Sequence, residues 1–252
     1  MSGAEPPTLG FVSLKFDVWC RTDKGLRRES NQDSFLINKE IGLFVVADGM
    51  GGHSGGEVAS QLAVQSVEYV VSEFRNRGMT PRDLIQKAYE ESSHRIFDRA
   101  ARETQLSGMG TTMVMAYHQG NSLFIGNVGD SRAYLYRKPH LWQVTEDHSL
   151  VNEQLRAGLI REDQVKQFVG RNVITRSVGY EREVMPDVLE RPLQKGDQFI
   201  LCSDGLSGMI SDELMSETMG SRERDAAVNE LLNRALEAGG EDNVTVLLLS
   251  FF

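Results

Sequence analysis

Cysteine is nearly absent, with only Cys20 and Cys202 in 252 residues, each inside an apolar, strand-like run. That excludes a disulfide framework and predicts two buried, reduced thiols. Excess positive charge is also missing. Lys and Arg number 27 against 36 Asp and Glu, a formal net charge of −9. Nucleic-acid binding needs clustered cations, so no nucleic-acid partner is expected, whereas an acidic surface favours cations. No apolar run is long. Val244 to Phe252 is the longest, about half the ~18 residues a span requires. The N-terminus lacks the basic, apolar, small-residue order of a signal peptide. No membrane partner is expected, and the chain reads as soluble and cytoplasmic. Neither an internal repeat nor a low-complexity linker divides it, so one domain over residues 10–252 is predicted after a frayed tail over 1–9.

What the chain does have is a set of aspartates at turns and strand ends. Asp33 closes Arg28-Glu-Ser-Asn-Gln-Asp33. Asp48 ends the apolar run Leu43-Phe-Val-Val-Ala and is followed by Gly49-Met-Gly-Gly. Asp130 sits in Val128-Gly-Asp-Ser, Asp204 in Cys202-Ser-Asp-Gly, and Asp242 in Gly240-Glu-Asp-Asn. Carboxylates gathered at one sheet edge repel one another unless a cation lies among them. Oxygen-only ligands, with no Cys or His in the set, point to a hard divalent ion such as Mg²⁺ or Mn²⁺. Each aspartate alone has an ordinary explanation as a turn or helix-capping residue. That explanation covers one comfortably, but not five in the same context. Asp48 carries the strongest single signal, because burying an unpaired carboxylate at a strand end costs several kcal/mol. The glycines after it let the backbone turn sharply and offer a carbonyl to the same ion.

Arg28 presents a guanidinium fork suited to two phosphate oxygens, against the plainer reading of a solvated arginine, which fits Arg27. The glycine-rich run after Asp48 lacks the Gly-Lys-Ser/Thr ending of a nucleotide loop. The segment Leu150 to Val173 could pass for a helix-turn-helix, but the negative charge argues against it. Composition and spacing reach as far as a metal-dependent hydrolase of phosphomonoesters.

Periodicity orders the elements. Alternation from Val12 to Cys20, then Ser34 to Ile37 and Gly42 to Asp48, gives strands. Helical spacing follows over Gly56 to Arg75, with Ala59, Leu62, Ala63, Val67, Val70, Val71 and Phe74 on one face. A second helix starts after Thr80-Pro81. Strands are predicted over Thr111–Tyr117, Ser122–Val128, Arg132–Tyr136 and Leu141–Val144. Asp147 to Gln167 reads as helical with a break at Gly158. Strands at Val184–Leu193 and Gln198–Cys202, a helix over about Arg222–Ala238 and a strand from Val244 to Phe252 complete the chain. This order suggests an α+β sandwich rather than a βαβ repeat.

Eight blocks, in order, resemble the metal-dependent protein phosphatases of the PPM, or type 2C, family. They are Thr22-Asp-x-Gly-x-x-Arg28-x-x-Asn31-Gln-Asp33; Val45-Val-Ala-Asp-Gly-Met-Gly-Gly-His53 with Gly56-Glu57; Ser107-Gly-Met-Gly-Thr-Thr112; and Asn127-Val-Gly-Asp-Ser-Arg132. Thr145-Glu-Asp-His-Ser149, Arg171-Asn-Val-Ile-Thr-Arg176-x-x-Gly179, Cys202-Ser-Asp-Gly205 and Asp242-Asn-Val-Thr245 follow. The Met50-Gly-Gly form is similar to that of bacterial members.

The resemblance implies a four-layer αββα sandwich of two antiparallel sheets flanked by helices. It implies that Asp48 bridges two Mn²⁺ or Mg²⁺ ions, that the Gly49 carbonyl binds one, and that Asp204 and Asp242 hold the other. Asp33 would support the site directly or through waters, and Asp130 with Asp204 would bind a third, weaker ion. Arg28 would hold the substrate phosphate, and residues 147–168 would form a mobile flap. Asp48, Asp204 and Asp242 would thereby carry catalysis by a metal-activated water without a phosphoenzyme. Phosphoserine and phosphothreonine in proteins are the implied substrates, with a bacterial Ser/Thr protein kinase and its targets as partners and a monomer as the working form.

Two departures stand out. Animal relatives carry His directly after the second block's Asp-Gly, where this chain has Met50, so the general acid is unassigned. Many bacterial relatives have His-Pro where this chain has Phe168-Val169. His148 is expected to fix the flap base. Two other classes compete: a non-catalytic phosphoprotein binder, which the loss of a core aspartate would favour, and a phosphohydrolase of small molecules.

Overall fold

The structure is a computed structural model and describes residues 14–252. The predicted tail over 1–9 and Val12 of the first predicted strand lie outside the described residues. Eleven strands and six α-helices are defined among those described. The strands form two antiparallel sheets with a core between them and a helical layer on each outer face. This is the four-layer arrangement the resemblance implied.

One sheet runs β1 (Phe16–Asp23), β11 (Val244–Phe251), β10 (Gln198–Cys202), β7 (Arg132–Arg137) and β8 (His140–Gln143). The other runs β2 (Asp33–Asn38), β3 (Leu43–Met50), β5 (Met113–Gln119), β6 (Ser122–Val128) and β9 (Asp187–Pro192), with the short β4 (Gly110–Thr111) paired to β3. Strand β3 shows why both faces must be apolar. Phe44 and Val46 point into the inter-sheet core, whereas Leu43, Val45 and Ala47 pack under helices. A strand covered on both sides reads as a continuous hydrophobic run rather than an alternating one.

Those helices are α1 (Gly52–Phe74) and α2 (Pro81–Arg102). Thr80 caps α2 by accepting from the Asp83 amide, with Pro81 in the first turn, as the Thr-Pro pair predicts. On the opposite face lie α4 (Asp204–Ser207), α5 (Asp212–Ser221) and α6 (Arg224–Glu237). There Val228, Leu231 and Ala235 pack on Val244, Val246 and Leu248 of β11.

Several boundaries differ from the sequence reading. The predicted helix over 147–167 resolves into α3 (Leu150–Arg156) and a 3₁₀ turn over Glu162–Gln167, parted at Gly158, whose φ is +69°. Helix α5 has no counterpart in the periodicity, since its inward apolar positions, Leu214, Met215 and Met219, are too few to set a helical repeat. The strand expected from Val184 starts only at Asp187; Val184 sits in the loop before it, buried in the core under the helices. Both thiols are free, but Cys20 is only half-buried while Cys202 is buried. Burial pushes both up to about 12. Among the described residues no helix is long and apolar enough to cross a membrane.

Candidate metal centre

The sheets deliver the aspartates to one end of the sandwich. Asp33 and Asp48 are direct cross-strand partners in the β2–β3 ladder. Asp204 follows the end of β10, and Asp242 stands two residues before β11, beside β10 in the other sheet. Asp130 occupies the tight connection between β6 and β7. A cleft of about 490 Å³ opens here, lined by Arg28, Asp48, Gly49, Asp130, Asp204 and Asp242 with the loop residues around them. Five of the six residues the sequence proposed as metal ligands therefore line one cavity together with Arg28. Asp33 lies outside the lining set.

Asp33 is held by a chain of hydroxyls. The Ser203 and Thr245 hydroxyls donate to its Oδ2 at 2.7 and 2.6 Å. Thr245 is bonded to Thr22 Oγ1, which in turn accepts from the Asn31 amide. This relay leaves Asp33 Oδ1 buried with no hydrogen-bond partner, and Asp204 Oδ1 is in the same state. Orphaned anionic oxygens are costly unless a proton or a cation meets them.

Electrostatics agree. Burial, reinforced by the charges of Asp204 and Asp242 and opposed by its two hydroxyl donors, pushes Asp33 up to about 7. Asp48 is pushed well above the carboxylate range by burial and then by Asp33, Asp204, Asp242 and Asp130. Asp130 rises to about 7 through burial and the nearby charges of Asp204 and Asp147. Asp204 is raised by burial and by Asp242. Such a set either takes up protons or admits a counter-cation. The carboxylates ring the cleft rather than meeting at a point. Among the described residues no three His, Cys, Asp or Glu side chains stand ready to hold one ion. Asp242 is engaged with Arg28, whose Nη2 donates to its Oδ2 at 2.6 Å, and with the Asn243 amide. The orphaned oxygens and the all-oxygen donor set fit hard divalent ions.

The backbone around Asp48 is fixed from the neighbouring strands. The Thr111 hydroxyl and the Thr112 amide both donate to the Asp48 carbonyl, at 2.7 and 2.9 Å. The Asp48 amide donates to Thr112 Oγ1. At Gly49 a Cβ would lie 1.9 Å from the Gly56 carbonyl oxygen and 2.8 Å from that of Gln32. Only glycine lets the strand end pass so close to the start of α1. Asn243 ties the Arg28 loop down: its amide donates to the carbonyls of Lys24 and Ser30, and its Oδ1 accepts from the Gln32 amide.

Thr111, Thr112, Ser203, Asn243 and Thr245 lie inside the eight blocks, but only the fold gives them their roles. The available signal was adjacency, since Ser203 and Asn243 flank aspartates already singled out. His148 sits beside the Asp130 turn. It accepts from the Gly129 amide through Nδ1 and pairs with Asp187 through Nε2, at 3.1 and 3.2 Å. Burial and the Arg176 charge hold it below the ordinary imidazole value.

The pattern that defines the family described as "Protein phosphatase 2C" matches residues 26–244. A serine/threonine phosphatase, stp, of Listeria innocua is 38% identical over 236 residues, covering 91% of this chain and 93% of the relative. The crystal structure of the Mycobacterium tuberculosis serine/threonine phosphatase PstP superposes with a TM-score of 0.87 at 34% identity, covering 93% of this chain and 98% of that one. The PstP catalytic domain in complex with two manganese ions superposes with a TM-score of 0.86 over 95% of this chain and 99% of that one. The chain belongs to the protein phosphatase 2C family.

Proposed function

We propose that the protein removes phosphate from phosphoserine and phosphothreonine in other proteins, opposing a bacterial Ser/Thr protein kinase, with Asp48, Asp204 and Asp242 at the centre of a two-ion site. Its class, a protein-serine/threonine phosphatase, follows from family membership at 35–38% identity to named phosphatases over most of the chain. The observation that carries the site assignment is the pair of buried, partnerless oxygens on Asp33 and Asp204 beside a ring of mutually repelling carboxyls.

Asp48 and the Gly49 carbonyl would hold one ion, with Asp48 shared to a second ion that Asp204 and Asp242 complete. Asp33 stands behind them, its orientation fixed by Ser203 and Thr245. Asp130 with Asp204 would take a third, weaker ion. When bound, Mn²⁺ or Mg²⁺ would acidify a water and offset charge on the phosphoryl oxygens. Arg28 would bind the phosphate by its guanidinium fork, after exchanging Asp242 for the substrate anion. Thr111 and Thr112 keep Asp48 in register throughout. No imidazole follows Asp48-Gly49, and Met50 lines the cleft in its place. Protonation of the leaving alkoxide therefore falls to water rather than to that side chain. We further assign residues 147–168 as a flap within a single domain, and a monomer in the cytoplasm as the working form, a reducing setting that suits the two free thiols.

Hydrolysis of p-nitrophenyl phosphate with Mn²⁺ tests the reading. Activity is expected, abolished by EDTA and by Asp48→Ala. Manganese-independent turnover would overturn the metal assignment, and binding of phosphoproteins without turnover would mark a non-catalytic relative. A preference for small phosphorylated metabolites over phosphopeptides would overturn the protein-substrate reading.

A further inference from the structure

Beside the metal cleft runs a second depression of about 660 Å³, and the two share Met50, Asn172 and Ile174 in their walls. The second continues away from the carboxylates over Arg176, Tyr180, Glu181, Glu183 and Met185. We infer that this groove receives the residues flanking the phosphorylated Ser or Thr of a protein substrate, seating an apolar side chain against Tyr180 and Met185 and a basic one over Glu181 and Glu183. The inference rests on the phosphoprotein reading above and adds to it a preference in the substrate.

Three observations carry it. First, the groove exposes large apolar groups where solvent offers them nothing. Tyr180 is 66% and Met185 64% exposed, with Ile174 half-buried between them and the cleft. Exposed apolar surface continuous with a reactive cleft marks a contact site. Second, its free charge is negative. Arg176 is committed to Asp187 at 2.9 Å and to the Met185 carbonyl at 3.2 Å. Glu183 is opposed by His94 at 3.1 Å, whose charge depends on protonation. That leaves an acidic rim, complementary to Lys or Arg.

Third, the groove is rigid and keyed to the metal site. Thr111 and Val178 exchange both backbone hydrogen bonds, at 3.0 and 2.8 Å, and the same Thr111 hydroxyl holds the Asp48 carbonyl. Ser93 of α2 donates to the Glu181 carbonyl and accepts from the Gly179 amide. A surface bolted to the catalytic strand holds a fixed offset from the phosphate. An extended peptide rises about 3.3 Å per residue, so neighbours within a few positions reach it.

The test uses the full chain with Mn²⁺ and phosphopeptides that share one phosphothreonine. One set carries Leu and Arg within three residues on either side, a second carries Leu and Glu, and a third only Gly and Ser. The expected result is about a tenfold higher kcat/KM for the Leu/Arg set than for the Leu/Glu set. The double variant Glu181→Lys, Glu183→Lys should erase or invert that ratio. Tyr180→Ala should shrink the advantage of Leu-bearing over Gly/Ser peptides about fivefold while leaving the Arg/Glu ratio in place. Ratios between peptides on one enzyme cancel any change in the chemistry or in the fraction folded. Ratios that stay unchanged in both variants, or a wild-type enzyme indifferent to flanking residues, would overturn the groove while leaving the phosphatase reading intact. A wild-type protein inactive on p-nitrophenyl phosphate and on every peptide would overturn both.

Discussion

The floor of the cleft and the wall beside it are built on opposite principles. The floor is strand register: Asp33 and Asp48 face each other across a ladder, and Asp204 and Asp242 stand at the ends of adjacent strands. Its geometry is dictated by hydrogen-bonded backbone and its chemistry by charge. The wall, residues 171–186, has little regular structure. Isolated contacts to β4, α2 and the His148 carbonyl give it shape. A floor of this kind demands particular side chains at particular positions, whereas such a wall demands only that its anchors hold, leaving its surface free to vary with what it meets. On the proposed reading, reaction and selection are thereby housed in different kinds of structure.

That contrast can be broken most forcefully at the floor. Asp204→Asn should lower kcat/KM on p-nitrophenyl phosphate by about a thousandfold, the order expected when several kcal/mol of charge stabilisation are lost. A drop below tenfold in steady-state kinetics would contradict the assignment. Arg28→Ala should cost less, about thirty- to a hundred-and-sixtyfold and mainly in KM, as for loss of about 2–3 kcal/mol of charged hydrogen bonding to phosphate. An effect confined to kcat would place Arg28 elsewhere in the reaction.

Glycine substitutions compare the two regions by stability. Gly49→Ala drives a Cβ into backbone oxygens that cannot yield and should cost about 3 kcal/mol in urea unfolding. Gly179→Ala meets the Ile96 side chain at 2.1 Å at a φ of +91°. Ile96 Cγ2 can rotate away, but Ile96 Cβ at 2.5 Å cannot, and the positive φ adds strain, so the cost should match that at Gly49, about 3 kcal/mol. A cost below about 1 kcal/mol at Gly179 would show that the wall yields where the floor does not.

The smallest effect concerns acidity. Burial and the neighbouring carboxylates push Asp33 and Asp130 up to about 7 in the folded protein, from an ordinary 3.8. Between those values the native state keeps protons that the unfolded chain has released, so their contribution to stability falls as pH rises from about 4 to about 7. Without divalent ions, Asp130→Asn should flatten the decline in thermal midpoint over that window, and Mn²⁺ should oppose the decline in wild type. A steeper decline in the variant would reverse the sign of the argument.

Much of the floor was legible from sequence because carboxylates at strand ends have few other uses in combination. Asp48, Asp130, Asp204, Asp242, Gly49 and Arg28 share one cavity as the blocks implied. Asp33 belongs to the set, but its position behind the lining depends on Ser203, just past β10, and Thr245 of β11, both far along the chain. The long helices and most strands followed from periodicity. Helix α5 did not, since ten residues with three apolar inward positions carry too little pattern. The wall was least legible of all. Its order comes from tertiary bonds such as Thr111 to Val178, and no local spacing encodes them.

Asn243 has a consequence of its own. One uncharged amide staples the loop bearing Arg28 through two carbonyls and one amide proton, and it is covalently joined to Asp242. The parts that would grip cation and anion are thus mounted on a common bracket, and slack at this single joint would misalign both at once. Side chains that touch neither reactant can therefore be as intolerant of replacement as those that do.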